Sequence, residues 1–342
     1  MEMMKAAVLV APRQFDVREL PIPQVGADDA LIAVERCGIC GTDIHMFNGH
    51  YASERLPLTP GHELAGTIAR LGRNVTHLAI GSRAVVDINI GCGQCYYCRR
   101  NEILNCLQMQ QVGITRDGAF AQFVCAPARL VIPVPDNCAF GTLALTEPVA
   151  CVARAARKAN ITFGQSVVVL GAGPIGNLHV QMLRLIGAAP IIVLETSEAR
   201  AQLAREVGAD VVVTDPARIR DVVRSQTDGR GADVVIESVG KMELYALAFE
   251  MIRPGGHIAA FGITGPEADL ALPILETVLR EKSIKGSVAG MGEDMHDALT
   301  LLRHDRFKLE AFTSKTYPLE DIQRAFDELS MDPRALKVQI VP

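Results

Sequence analysis

The sequence predicts an α/β protein in two parts, a β-rich domain and a second domain built on a doubly wound parallel sheet. Three observations carry this. At 342 residues the chain is about twice the ~150 residues of an ordinary domain. From Lys5 to about Pro135, short β-type runs are broken by Gly, Pro and Asp, with little helical periodicity. From about Gly164 to Gly290 the pattern changes to apolar strands alternating with helices, which argues a parallel sheet.

In order along the chain, the strand-like runs of the first part are AAVLV, DALIAVE, AGTIARLG, SRAVVDI, FAQFVCA and LVIPVP. The Ala- and Arg-rich stretch from Glu147 to Asn160 predicts a helix joining the two parts. SVVVLG then opens the second domain, followed by PIGNLHVQMLRLIGA, PIIVLE, SEARAQLAREVGA, DVVVT, a short helix from Ile219, and DVVIES. GHIAAFG and SIKGSV extend the sheet. The last 50 or so residues carry two helical stretches and a closing strand, KVQIV, of the kind that returns to the first domain. The boundaries expected are 1–147 with 291–342 for the first domain and 148–290 for the second.

Composition removes several classes. Hydrophobic residues at 49%, charged residues at 21%, 29 Gly and 18 Pro fit an ordinary globular chain and exclude low-complexity and disordered ones. A formal charge of -5 without a basic block gives no footprint for nucleic acid or an anionic membrane, so a small or polar partner is expected. No apolar run reaches the ~18 residues of a membrane span, and AAVLVAP after Met1–Lys5 is no signal-peptide core. A cytoplasmic protein is expected. Of nine cysteines, Cys92, Cys95, Cys98 and Cys106 fall within 15 residues, which in a reducing compartment favours metal over disulfides.

Gly171, Gly173 and Gly176 form G-A-G-P-I-G directly after an apolar strand, with Pro174 and Ile175 opening a helix. The first glycine permits the tight turn, the second lets a pyrophosphate approach the backbone, and the third lets helix and strand pack closely. The next strand ends in Glu195, 19 residues past Gly176, where a carboxylate accepts from adenosine ribose hydroxyls. That carboxylate repels a 2′-phosphate, so NAD is favoured over NADP, although Arg200, five residues on, can hold either a ribose or a phosphate.

Two constellations suit zinc. The spacing Cys92-x2-Cys95-x2-Cys98-x7-Cys106 supplies four thiolates on a polar, Gly-rich loop, as in closed tetrahedral structural sites. The second is dispersed: Cys40 in GICGTDIH, His62 and Glu63 in GHE, and Glu147 in TEP. Mixed Cys, His and carboxylate ligands are those of catalytic zinc, but each of these residues alone has a bland reading, such as a His-Glu hydrogen-bonding pair.

GICGTDIH, PGHELAGTIARLG, the four-cysteine loop, DGAFAQF, LTEPVA and VVVLGAGPIG together resemble, in order and over nearly the whole chain, the zinc-containing medium-chain alcohol dehydrogenases, nearest the polyol and threonine dehydrogenase branch. The resemblance implies a GroES-like catalytic domain, a Rossmann coenzyme domain and a substrate cleft between them. It also implies a homotetramer, with a dimer as runner-up. By motif position it puts a catalytic zinc on Cys40 and His62, with Glu63 and Glu147 as acidic ligands, and leaves open which carboxylate binds at rest. It implies two zinc ions per chain. Thr42 and His45 fit a relay that carries the alcohol proton through a hydroxyl and the nicotinamide ribose to an imidazole. Asp43 reads as structural, Cys37 as packing, and Cys125, Cys138 and Cys151 as buried thiols.

The reaction implied is reversible oxidation of a secondary alcohol to a ketone, because a divalent cation acidifies an otherwise poor acid before hydride leaves. Sorbitol-type members carry an Arg-Tyr pair where this chain has Gly286-Ser287-Val288-Ala289, and threonine dehydrogenases place a His where Asn89 stands. A polyol, sugar alcohol or sugar acid is therefore favoured, with Phe47, Asn89 and Phe120 as pocket positions. The runner-up is an L-threonine 3-dehydrogenase-like or other secondary-alcohol dehydrogenase, with a non-catalytic dinucleotide-binding protein as the reading from another class.

Overall fold

A computed structural model describes residues 2–135, 137–265, 267–310, 312–331 and 336–342. It divides into two units, Met1–Ala150 with Met291–His304 and Phe312–Pro342, and Cys151–Gly290 with Asp305–Ala311.

In the first unit β1 (Met3–Ala11) and β2 (Gln14–Pro21) form an antiparallel ribbon. Next come β3 (Asp29–Gly38), α1 (Gly41–Phe47), β4 (Glu63–Leu71), β5 (Arg83–Val86), β6 (Asn89–Ile90), α2 (Tyr96–Arg99), β7 (Gln110–Gln111), β8 (Phe123–Pro127) and β9 (Val131–Val134). The one-turn helix α3 (Phe140–Leu143) precedes α4 (Thr146–Ala159), which carries the chain out of this unit. β2 escapes sequence reading because Phe15, Val17 and Leu20 of QFDVRELP are only partly buried among exposed charged residues, so its apolar signal is weak.

The second unit alternates β10 (Val167–Leu170), α5 (Pro174–Ile186), β11 (Ile191–Leu194), α6 (Glu198–Val207), β12 (Val211–Val213), α7 (Ile219–Gln226), β13 (Ala232–Glu237), α8 (Met242–Met251), β14 (Ile252–Ala260), α9 (Ile274–Leu279) and β15 (Ser283–Gly286). Its sheet runs β12-β11-β10-β13-β14-β15 with every pairing parallel, so the order reverses direction between β10 and β13. Such a switch point, at the carboxyl ends of the strands, is where doubly wound sheets bind ligands. β10 and β11 are buried at every residue, which explains their unbroken apolar runs.

The chain then returns to the first unit through α10 (Glu293–Arg303), β16 (Thr313–Pro318), α11 (Ile322–Met331) and β17 (Lys337–Val341). β16 and β17 complete a sheet ordered β16-β17-β3-β4-β5-β9, with β8 also on β3. The closing strand thus lies beside β3, with Gln339 opposite Gly38. The division departs from the expected boundaries at residues 148–150, which belong to the first unit, and at Asp305–Ala311, which belong to the second. Lys308 N donates to Gln181 Oε1 at 2.6 Å and Lys308 Nζ to Glu206 O at 2.9 Å, so this segment is held by α5 and α6.

Phe47 and Phe120 are corrected from pocket positions to core. Both are fully buried and surround Phe326 of α11, with ring centroids 5.0 and 5.9 Å from it. Phe15 closes the cluster at 4.9 Å. Phe326→Ala is therefore expected to destabilise the protein by about 3–5 kcal/mol in denaturant unfolding; a loss below 1 kcal/mol would show that α11 does not anchor the core.

Candidate functional site

The glycine turn of the second unit follows from backbone geometry. Gly171 adopts φ +91°, and a Cβ on Gly176 would stand 2.0 Å from Gly171 O, so neither position accepts a side chain. At Gly173 the opposite holds: a Cβ would meet nothing closer than Arg200 Nη1 at 3.9 Å. Open space at the N-terminus of α5, beside a guanidinium, fits the pyrophosphate of a dinucleotide. Pro174 and Ile175 form the first turn of α5. Glu195, at the end of β11, accepts from Ala172 N and Ser197 N, both at 2.8 Å, which fixes the carboxylate beside the glycine turn.

In the first unit the four loop cysteines converge, with one sulfur from each lying within 4.8 Å of the others. Cys95 caps α2, and Cys98 N donates to its sulfur at 3.5 Å. Cys106 sulfur accepts from Cys92 N and Gln108 N, each at 3.4 Å. The Cys98 N–H draws the Cys95 thiol down to about 6 and the Cys92 and Gln108 N–H groups lower that of Cys106, while burial pushes Cys98 up to about 11. Four soft donors, some already favouring the thiolate, fit a tetrahedral metal.

The dispersed set also converges in part. Ligand atoms of Cys40, His62 and Glu63 lie within 4.8 Å of one another, while Glu147, buried in the first turn of α4, stands outside that group. Cys40 is the N-cap of α1, and its N–H donates to Asp43 Oδ2 at 2.8 Å. The other oxygen of Asp43 lies 3.3 Å from His62 Nδ1. Asp43 thus does more than cap a helix, because it orients a candidate ligand from behind, the usual arrangement for a metal-binding imidazole. Burial opposes a charge on His62, yet Asp43 and Cys40 outweigh it and hold its pKa well above the ordinary range. Such a cluster, of soft and hard donors with anionic surroundings, fits a divalent cation.

Lys337, at the start of β17, was not predicted. It is 2% exposed, and its Nζ donates to both oxygens of Glu63, at 2.6 and 2.7 Å, and to Ile39 O at 3.1 Å. Burial pulls its pKa down, but Glu63, Cys40 and Glu147 together hold it raised. Glu63 faces Gly38 across the β3–β4 pair, and a Cβ there would stand 2.1 Å from Glu63 Oε2. The missing side chain on the middle strand lets the flanking lysine and glutamate meet.

Thr42 and His45 lie on α1, with Thr42 Oγ1 3.8 Å from Cys40 sulfur. His45 is half-buried, and burial, followed by the nearby His50, lowers its pKa. Asn89 is 1% exposed; it donates to Asp87 Oδ1 at 3.0 Å and accepts from Gln111 Nε2 at 2.9 Å, which engages its amide in holding the β6–β7 ribbon. Cys37 and Cys125 have raised pKa values from burial, the latter about 11, as inert thiols should.

Residues 26–136 match the family described as alcohol dehydrogenase GroES-like domain, and residues 174–304 match zinc-binding dehydrogenase. The chain is 32% identical to a sorbitol dehydrogenase of Halalkalibacterium halodurans over 96% of both chains. It is also 32% identical to an L-threonine 3-dehydrogenase of Symbiobacterium thermophilum, over 95% of this chain and 94% of that one. A structure of a zinc-binding dehydrogenase from Sinorhizobium meliloti 1021, described with NADP bound, superposes with a TM-score of 0.92 at 31% identity over 100% of both chains.

Among the described residues no helix is long and apolar enough to cross a membrane. Cys98→Ser is expected to lower the zinc content measured by mass spectrometry by about one ion per chain; unchanged content would remove the four-cysteine loop as a metal site.

Proposed function

Because the chain belongs to the zinc-containing medium-chain family of alcohol dehydrogenases, we propose that it oxidises a secondary hydroxyl of a polyol, sugar alcohol or sugar acid to the ketone with NAD. The overall reaction would turn the alcohol and NAD into the ketone, NADH and a proton, the protein taking up the proton. The observation that carries this reading is the convergence of Cys40, His62 and Glu63 on one point of the first unit. When bound, zinc supplies a Lewis acid and the dinucleotide a hydride acceptor.

The chain's own residues do the rest. Cys40 and His62 would hold the metal, with Glu63 or Glu147 as the acidic ligand, and Asp43 keeps His62 oriented. Thr42 would accept the hydroxyl proton and pass it towards His45, whose lowered pKa keeps its imidazole neutral and able to receive it at pH 7. Cys92, Cys95, Cys98 and Cys106 would hold a structural zinc. In the second unit the glycine turn, with Gly171, Gly173, Pro174, Ile175 and Gly176, would cradle the pyrophosphate, and Glu195 and Arg200 would meet the adenosine ribose. NAD is favoured over NADP because a fixed Glu195 carboxylate repels a 2′-phosphate. In domain terms, metal and substrate chemistry would belong to the first unit and the coenzyme to the second.

A homo-oligomer is proposed, a tetramer ahead of a dimer. β15 is an edge of its sheet, and Ile274, Leu275, Val278 and Leu279 on α9 are 63–75% exposed, which a second copy would cover. The thiolate-rich loop supports a reducing, cytoplasmic setting.

The test follows absorbance of the reduced nicotinamide against polyols, aldonates, L-threonine and simple secondary alcohols, with NAD and NADP in parallel. One polyol or aldonate should reduce NAD, while reduction by L-threonine alone would overturn the substrate class. Cys40→Ser should abolish turnover and leave dinucleotide binding intact; retained turnover would remove Cys40 from the site. His45→Asn should lower the oxidation rate by about 10²-fold. It should also erase the wild-type loss of rate as pH falls through a value below 6.5, the ordinary imidazole pKa. An unchanged profile would exclude His45 from the relay.

A further inference from the structure

The ion pair between Lys337 and Glu63 sits inside the pocket that the metal reading requires, yet neither that reading nor the family resemblance uses it. One oxygen of Glu63 lies within 4.8 Å of both Cys40 sulfur and a His62 nitrogen, so the carboxylate is within reach of any cation those residues hold. Both of its oxygens are nevertheless taken by the same ammonium, at 2.6 and 2.7 Å. The pair is removed from water, Lys337 being 2% and Glu63 0% exposed. Lys337 is itself anchored from a third direction by Ile39 O at 3.1 Å, one residue before Cys40. Two cations sharing one carboxylate at low dielectric repel strongly, and breaking the existing pair leaves a buried charge uncompensated.

We propose that Lys337 is a positioning residue of the metal pocket: by holding both oxygens of Glu63 it keeps that carboxylate from joining the metal beside Cys40 and His62. The inference rests on the metal reading of Cys40 and His62. The lysine comes from the last strand of the chain, 274 residues from its partner, and reaches it over the bare backbone of Gly38.

Cobalt(II) replaces zinc in the test, because its visible bands report the number and kind of ligands without any need for turnover. The Cys40→Ser spectrum is subtracted so that the four-cysteine loop cancels. In Lys337→Met, freed Glu63 should join the metal, weakening the visible bands as coordination number rises and shifting cobalt affinity by about 10–100-fold. Adding Glu63→Gln to Lys337→Met should return the spectrum to that of the wild type, and Lys337→Arg should never leave it. Identical bands and affinity in Lys337→Met and wild type would overturn the role of Lys337 alone. A blank difference spectrum in the wild type would overturn the metal reading and this inference with it. Should Lys337→Met fail to fold, Glu63→Gln decides: unchanged bands support an unligated Glu63, and altered bands overturn the proposal.

Discussion

Four ionisable side chains, Asp43, His62, Glu63 and Lys337, are taken almost wholly out of water within one small region of the first unit. That is tolerable only because each faces a group of opposite tendency: Asp43 against His62, and Glu63 against Lys337. The arrangement sets the local fold. α1 has to begin at Cys40 so that Asp43 can turn back to both the Cys40 N–H and the imidazole. β4 has to start at Glu63, opposite a residue with no side chain. The closing strand has to lie against β3, because it is this strand that brings the Lys337 cation to the carboxylate.

The second unit works with the same economy on the backbone alone. Where the first unit balances side-chain charges, the turn after β10 presents N–H groups and open space, and the nearby Glu195 carboxylate is fixed by one N–H of that turn, from Ala172, and one after β11, from Ser197. A site built from strand ends and a helix start needs few side chains. Its identity can therefore be read over about two dozen consecutive residues, from Gly171 to Glu195.

That difference decides how much was legible. The four-cysteine loop and the glycine turn are local in sequence, and both are local in space. Cys40, His62 and Glu147 are scattered, so only resemblance assembled them, and the structure brings Cys40 and His62 together with Glu63 but leaves Glu147 outside that group. Lys337 left no trace, because a lysine in KVQIV reads as an ordinary strand residue until the pairing with β3 is known. β16 was missed for a related reason, since TSKTYP has little apolar alternation and gains its place from its neighbour β17. Phe47 and Phe120 stand in motif-bearing segments and read as pocket residues. Their burial depends on Phe326, some 200 or more residues away in sequence.

The pairing of β17 with β3 also fixes an order of events during synthesis. Ile39 and Lys337 are 298 residues apart, which at ~5–20 residues per second on the ribosome is roughly 15–60 s. For that interval the Cys37–Gly38 end of β3 has no strand beside it on that edge, and Glu63 has no cation. The unit that begins first is finished last, after the whole of Cys151–Gly290 has been made. The newborn chain therefore carries every candidate metal-ligand cysteine of this unit well before it carries the lysine that balances Glu63.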